Sequence, residues 1–242
     1  MREKSSISKL LEGRCRGAGA DYTGFKKANE SHSRGAAAEL YDPVAGRTVD
    51  VLSNGERFLF WTLRYDEHVV EIREQQALHP GIAARAAAEL GLPLPKDILS
   101  TDMLVLYDDG SITAYSVKKS RSEIDPATAK GKRNIRRQAI EMRHWKLLGV
   151  RFRIVFTDEM DRKKAEAVES CMVYYDPEWV QTPDQMYKYL IAHHIVETDL
   201  SGQIPYAKIA RENEEEIRRL FAQAAGREEE GYARDRISDQ AQ

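Results

Sequence analysis

Residues 100–118 constrain the fold of this chain more than any other stretch. Met103 to Tyr107 and Ile112 to Val117 are rich in β-branched and aromatic residues and flank Asp108-Asp109-Gly110, which predicts two antiparallel strands joined by a tight turn. The turn sets the register, and side chains alternate between faces along each strand. A two-residue Asp109-Gly110 turn would place Asp102 opposite Val117, on the other face from Ser116 and Lys118. A three-residue loop, with Gly110 left-handed in a G1 bulge, places Asp102 opposite Ser116 instead, so that Asp102, Ser116 and Lys118 share one face.

In the second register, an aspartate on one strand faces a polar residue and a lysine two apart on the next. That is the skeleton of the metal-dependent nuclease site written PD-(D/E)xK. Phosphodiester hydrolysis needs a divalent cation to polarise the phosphate, an activated water, and relief of charge on the leaving oxygen. Oxygen ligands suit Mg²⁺, with Mn²⁺ as substitute. Asp102 is the candidate bridging ligand, the Val117 carbonyl and Ser116 are further metal ligands, and Lys118 is the group that orients the attacking water and stabilises the pentavalent phosphorus. Ser53-Asn54-Gly55-Glu56 matches a helix capping box, so the ordinary role of Glu56 is to cap. Brought against the hairpin, the same carboxylate would be the second metal ligand. By itself the triplet has little specificity, because an aspartate and an x-Val-Lys hairpin arise by chance in many sheets.

The net charge of −2 taken alone argues against a nucleic-acid partner, but the distribution matters more than the sum. Residues 118–153 carry twelve Lys/Arg against the three acids Glu123, Asp125 and Glu141. A basic run alone is usually a solvated helix face. Its position directly after Ser116-Val117-Lys118 marks Lys119, Arg133, Arg136 and Arg137 as candidate contacts to DNA phosphates.

The rest of the chain supplies an α/β frame. A short helix is expected over residues 5–13, followed by a flexible basic loop whose glycines lack the preceding strand and the Gly-Lys-Ser/Thr of a phosphate-binding loop. A hairpin is expected within residues 36–52, an amphipathic helix through Phe58 and Tyr65, and a short strand from Val69 to Arg73 ending in the polar Glu74-Gln75. Another helix covers residues 81–90. Beyond the central hairpin, a helix over about 128–148 presents Ile135, Ala139, Met142 and Trp145 on one face and Arg/Lys on the other, and Val150 to Thr157 reads as a buried strand. Helices are expected from Thr182-Pro183 to His194 and over about 206–224. His193-His194 are neighbours in sequence and point to different sides of a helix, which argues against a metal role. The two cysteines, Cys15 and Cys171, form neither a disulfide framework nor a zinc pattern. With no signal-peptide or membrane-span pattern, a cytoplasmic protein with no membrane partner is expected.

Several stretches together resemble the TnsA family, the endonuclease subunits of the heteromeric transposases of bacterial cut-and-paste transposons that also encode TnsB and TnsC. They are Gly13-Arg-Cys-Arg-Gly-Ala-Gly-Ala-Asp-Tyr22, Leu52-Ser-Asn-Gly-Glu56, Val69-Val-Glu-Ile-Arg-Glu-Gln75, Ser100-Thr-Asp102, Ser116-Val-Lys118, Glu141-Met-Arg-His-Trp145 and Val155-Phe-Thr-Asp158. The resemblance implies a restriction-endonuclease-like mixed sheet flanked by helices, with Glu56, Asp102 and Lys118 as the catalytic glutamate, aspartate and lysine. It implies cleavage of the 5′ ends of a transposon, with transposon-end DNA, a TnsB-like transposase and a TnsC-like AAA+ regulator as partners. The expected organisation is a catalytic domain over 1–160, a small, mainly helical, winged-helix-like domain over 161–226, short for the family, and a charged tail over 227–242. The family pattern has a glutamine two residues before the lysine where this chain has Ser116; Glu71 and Glu141 are the further carboxylates available to compensate. A free-standing nuclease of the same fold, and a catalytically decayed assembly factor, are the alternatives.

Overall fold

In the computed structural model, residues 5–30, 36–172 and 175 are described. The chain divides into two units, residues 1–63 with 68–161, and residues 64–67 with 162–242. The first holds every element discussed around the candidate site.

Helix α1 (Ser6–Leu11) is capped by Ser5, whose hydroxyl accepts from the Ser8 amide, and Gly13 at φ +86° follows its end. The segment after it is not the flexible basic loop expected. Arg14 is buried, and its guanidinium donates to both oxygens of Glu30 at 2.7 and 2.6 Å and to the Phe25 carbonyl at 3.0 Å. An arginine that satisfies its fork on a carboxylate and a carbonyl can leave water. Residues 13–30 therefore form an ordered strap.

Strands β1 (Ala38–Asp42) and β2 (Arg47–Val51) form the expected antiparallel hairpin, followed by helix α2 (Asn54–Arg64). Strand β3 (Val69–Ala77) runs four residues past Arg73, its expected end before the polar Glu74-Gln75. Glu74 and Gln75 are each only 1% exposed; both are polar residues with buried partners, which period-two hydrophobicity cannot detect. Helix α3 (Pro80–Glu89) leads to the hairpin of β4 (Ser100–Tyr107) and β5 (Ile112–Lys118). Helix α4 (Ala129–Leu147) then crosses to β6 (Arg151–Phe156), which pairs parallel with β5. A parallel pairing requires such a crossover. The main sheet has the order β3-β4-β5-β6, with β3–β4 and β4–β5 paired antiparallel and β5–β6 parallel. It is a mixed α/β architecture, consistent with a restriction-endonuclease-like fold.

Leu78, Ala83, Ala86, Ala87, Ala114, Ile140 and Trp145 form one buried cluster that joins α3 and α4 to the sheet. Two expectations fail here. Ile135 and Met142 of α4 are exposed, at 38% and 52%, whereas Gln138, Glu141 and His144 are buried with Ile140 and Trp145. The inward face is thus largely polar, and the apolar stripe read from spacing is displaced around the helix. Strand β6 is not fully buried either: Arg151 and Arg153 are exposed, as befits an edge strand flanked by a neighbour on one side only.

In the second unit, helix α5 (Arg162–Cys171) carries Lys164, whose ammonium lies 3.5 Å from the Tyr65 ring centroid. The helices expected beyond Thr182, His193-His194 and the winged-helix-like region lie outside the described residues.

Candidate active site

The hairpin settles the register question. Met103 pairs with Tyr115 and Leu106 with Ile112, which continues to Asp102 opposite Ser116. The Tyr107 amide donates to the Ser111 carbonyl, the Gly110 amide donates to the Tyr107 carbonyl, and Gly110 has φ +76°. These are the marks of the three-residue Asp108-Asp109-Gly110 loop with a left-handed glycine.

Asp102, Ser116 and Lys118 are consequently joined. The Val117 amide and the Ser116 hydroxyl both donate to Asp102 Oδ2, at 2.7 and 3.3 Å. Lys118 Nζ donates to Ser116 Oγ at 3.0 Å and to the Val117 carbonyl at 2.9 Å. Ser116, 1% exposed, links the acid to the base: its hydroxyl donates to one and accepts from the other.

Glu56 completes the capping box and also faces Asp102. Its amide donates to Ser53 Oγ at 3.2 Å, Ser53 Oγ donates back to Oε1 at 3.0 Å, and the Leu52 amide and Gln75 Nε2 each donate to Oε2 at 3.0 Å. Burial first, and the negative charge of Asp102 second, push the Glu56 carboxyl up to about 7. Gly55 makes the approach possible. A Cβ there would overlap Thr157 Oγ1 and lie 2.7 Å from Val117 Cγ1. We expect Gly55→Ala to cost about 1–3 kcal/mol, as overpacking does, and to displace Glu56 from the hairpin, checked by urea denaturation together with Mn²⁺ binding.

Three further charged groups approach the site: Glu141, one of the two compensating carboxylates named from the sequence, Arg137 and Lys26. Glu141 is fully buried, accepts from Arg137 Nε at 2.9 Å through Oε1, and leaves Oε2 without a hydrogen-bond partner. Burial raises its carboxyl to about 7; Arg137 opposes this, and the charge of Asp102 adds to it. Of the two compensating carboxylates, Glu141 is the one near Asp102 and Lys118. Glu71 is turned to the Gly19 amide and Arg73. Arg137, a candidate phosphate contact, keeps a side chain 40% exposed while its Nη2 donates to the Ser100 carbonyl at 3.1 Å, and it feels the charge of Asp102. Lys119, Arg133 and Arg136 are exposed. Lys26, from the strap, is held below the ordinary lysine range by burial and by Arg137, while Asp102, Glu56 and Glu141 oppose that shift. No local motif signals Lys26, because long-range folding of the strap brings it there.

The Glu141 shift has a measurable sign. Between about 4.5 and about 7 the folded state keeps a proton that the unfolded state has released, so this group's contribution to stability falls as pH rises through that window. Glu141→Gln lacks the titration. Its unfolding free energy relative to the unaltered chain should rise by about 1–3 kcal/mol from pH 4.5 to 7.5 with chelator present, checked by denaturation at both pH values.

The sheet order, the joined Asp102, Ser116 and Lys118, and the facing Glu56 match the arrangement expected from the sequence. Residues 66–157 match the family model described as the TnsA-like endonuclease N-terminal domain. Glu56 lies just ahead of the matched span. A similar protein is the transposon Tn7 transposition protein TnsA of Escherichia coli, 29% identical over 157 residues, which cover 62% of this chain and 55% of that protein. The chain thus spans about half the length of the curated relative it matches.

Proposed function

We propose that this protein is the Mg²⁺-dependent DNA endonuclease subunit of a transposase, cutting the 5′ ends of a transposon in cut-and-paste transposition beside a TnsB-like transposase and a TnsC-like regulator. The observation that carries the reading is the hydrogen-bonded Asp102–Ser116–Lys118 set, with the Glu56 carboxyl raised by burial first and by the charge of Asp102 second. The similarity to TnsA supplies the transposition context.

The residues fit a hard divalent cation. Two carboxylates repel each other across a partly buried site, a charge a dication would neutralise, and the remaining donors, the Val117 carbonyl and Ser116 Oγ, are also oxygens. Among the described residues no group of three His, Cys, Asp or Glu side chains could hold a metal, so Glu56 and Asp102 would share the site with main-chain oxygen and water. When bound, Mg²⁺ polarises the scissile phosphate and lowers the pKa of a coordinated water. Asp102 is kept in place by the Val117 amide and Ser116. Lys118, anchored to Ser116 Oγ and the Val117 carbonyl, would aim its ammonium at the attacking water and at the charge building on the phosphorus oxygens. Ser116 is shorter than the family's glutamine, so its Oγ would reach the metal through water while it orders Asp102 and Lys118. Exposed Lys119, Arg133 and Arg136 would hold the DNA backbone without reading sequence.

No helix among the described residues is long and apolar enough to cross a membrane. The proposal places the protein in the bacterial cytoplasm, where its DNA substrate is. Incubation with TnsB-like and TnsC-like partners, DNA carrying both transposon ends and Mg²⁺ is expected to give 5′-strand cuts at the ends. Cutting of plain duplex DNA by the chain alone would identify a free-standing nuclease instead. An intact assembly that cuts only 3′ strands would mark a decayed site.

A further inference from the structure

Gln75 occupies a position that the ladder does not explain. It lies between the pairs Glu74–Met103 and Gln76–Thr101, which puts it across β4 from Asp102. Its φ is +46°, although β3 continues to Ala77 and no chain reversal requires a left-handed residue there. A non-glycine residue in that region is uncommon and persists only where its surroundings over-determine it. The strap supplies that constraint. The Phe25 amide donates to the Gln75 carbonyl at 3.0 Å, and Cys15 Sγ bridges the same carbonyl, at 3.7 Å, to the Ala77 amide, at 3.3 Å. Gly24 packs so closely that a Cβ would lie 2.9 Å from the Glu74 carbonyl oxygen and 3.4 Å from Gln75 Cβ.

The side chain shows what the backbone is held for. Gln75 Oε1 accepts from Ser100 Oγ at 3.1 Å, which turns the amide so that Nε2 donates to Glu56 Oε2 at 3.0 Å. Oε2 already accepts the Leu52 amide and Oε1 accepts Ser53 Oγ. A carboxylate offers about four lone-pair sites, so three are occupied and the one left is on Oε1. We propose that Gln75, locked in left-handed backbone by the N-terminal strap, is a positioning residue that fixes the rotation of the Glu56 carboxylate and so directs Oε1 at the metal. The inference rests on the reading of Glu56 as a metal ligand.

Mn²⁺ titration of the full chain by calorimetry, paired with urea denaturation, tests it without relying on cleavage. Gln75→Met keeps length and loses both amide contacts; it should bind Mn²⁺ about tenfold more weakly, the worth of a hydrogen bond to a charged group. In a Glu56→Ala background the same substitution should weaken Mn²⁺ no further, because the effect runs through Glu56. If Gln75→Met does not fold, Gln75→Asn carries the same expectation: asparagine tolerates left-handed backbone but stops a methylene short of Glu56. Loss of stability with Mn²⁺ affinity unchanged would make Gln75 merely structural and overturn the inference alone. An equal further loss in the Glu56→Ala background would overturn it too. No Mn²⁺ binding by the unaltered chain would overturn the metal-site reading and the inference together.

Discussion

Asp102→Ala is expected to lower 5′-strand cleavage by at least about 10³-fold while 3′-strand cleavage by the partner transposase continues. Several kcal/mol of transition-state stabilisation ride on a metal-polarised phosphate, and each 1.36 kcal/mol is a factor of ten in rate. Asp102 is the group through which the rest of the site is organised: it holds the Val117 amide and Ser116, and its charge is the second cause, after burial, of the raised Glu56 carboxyl. Stability should change little, because two effects oppose. The Val117 amide loses its acceptor, at a cost of about 1 kcal/mol, while Glu56 is freed from a neighbouring negative charge. Asp102→Asn separates the parts, since a side-chain carbonyl can still accept from Val117 while the charge is gone. Single-turnover cleavage of both strands in the assembled complex, with thermal unfolding of the isolated chain, makes the measurement. If Asp102→Asn kept its 5′ rate within a factor of about three, the charge of Asp102 could not be what holds the metal.

The parts of this site that were legible in the sequence are those encoded locally. Asp108-Asp109-Gly110 specifies its loop because the third position requires a positive φ, and alternation along β4 and β5 then gathers Asp102, Ser116 and Lys118. The capping box around Glu56 was equally readable, and the structure gives its carboxylate a second neighbour in Asp102. What sequence patterns missed is burial of polar groups matched by distant partners. The inward face of α4 was misplaced because Gln138, Glu141 and His144 occupy it while Ile135 and Met142 face out; the helix turns its polar side to the site, the reverse of what hydrophobic spacing assumes. Arg14 is expected in a flexible basic loop and Lys26 carries no local signal, because Glu30 and the acidic site reach them only through the folded strap. Glu74-Gln75 looked like a strand end for the same reason.

Arg47→Met should be the most destabilising single change away from the site, at about 3–5 kcal/mol, because it leaves a buried carboxylate without its partner. Arg47 of β2 is 7% exposed and Glu74 of β3 is 1% exposed. Two guanidinium nitrogens meet the two oxygens of Glu74 at 2.9 and 2.6 Å, and the remaining donors reach the Ile72 carbonyl at 2.9 Å and the Thr48 carbonyl at 3.1 Å. The guanidinium also lies 5.1 Å from the Tyr22 ring centroid. One arginine thereby ties the two-stranded sheet to the edge of the main sheet, one residue from Gln75. Burial already raises the Glu74 carboxyl, and Arg47 is what opposes it. Without Arg47 the folded state retains the Glu74 proton to higher pH than the unfolded state does, so the variant should lose stability as pH rises above the ordinary carboxylate range. Urea denaturation at pH 5 and pH 8 should therefore show the larger deficit at pH 8. The double variant Arg47→Met/Glu74→Met removes both charges at similar volume and should recover most of the loss, since replacing a whole buried pair is often neutral where breaking it is not. A deficit below about 1 kcal/mol in Arg47→Met would mean that water or a rearranged side chain reaches Glu74. The strap and β3 would then hold Gln75 in place without this ion pair.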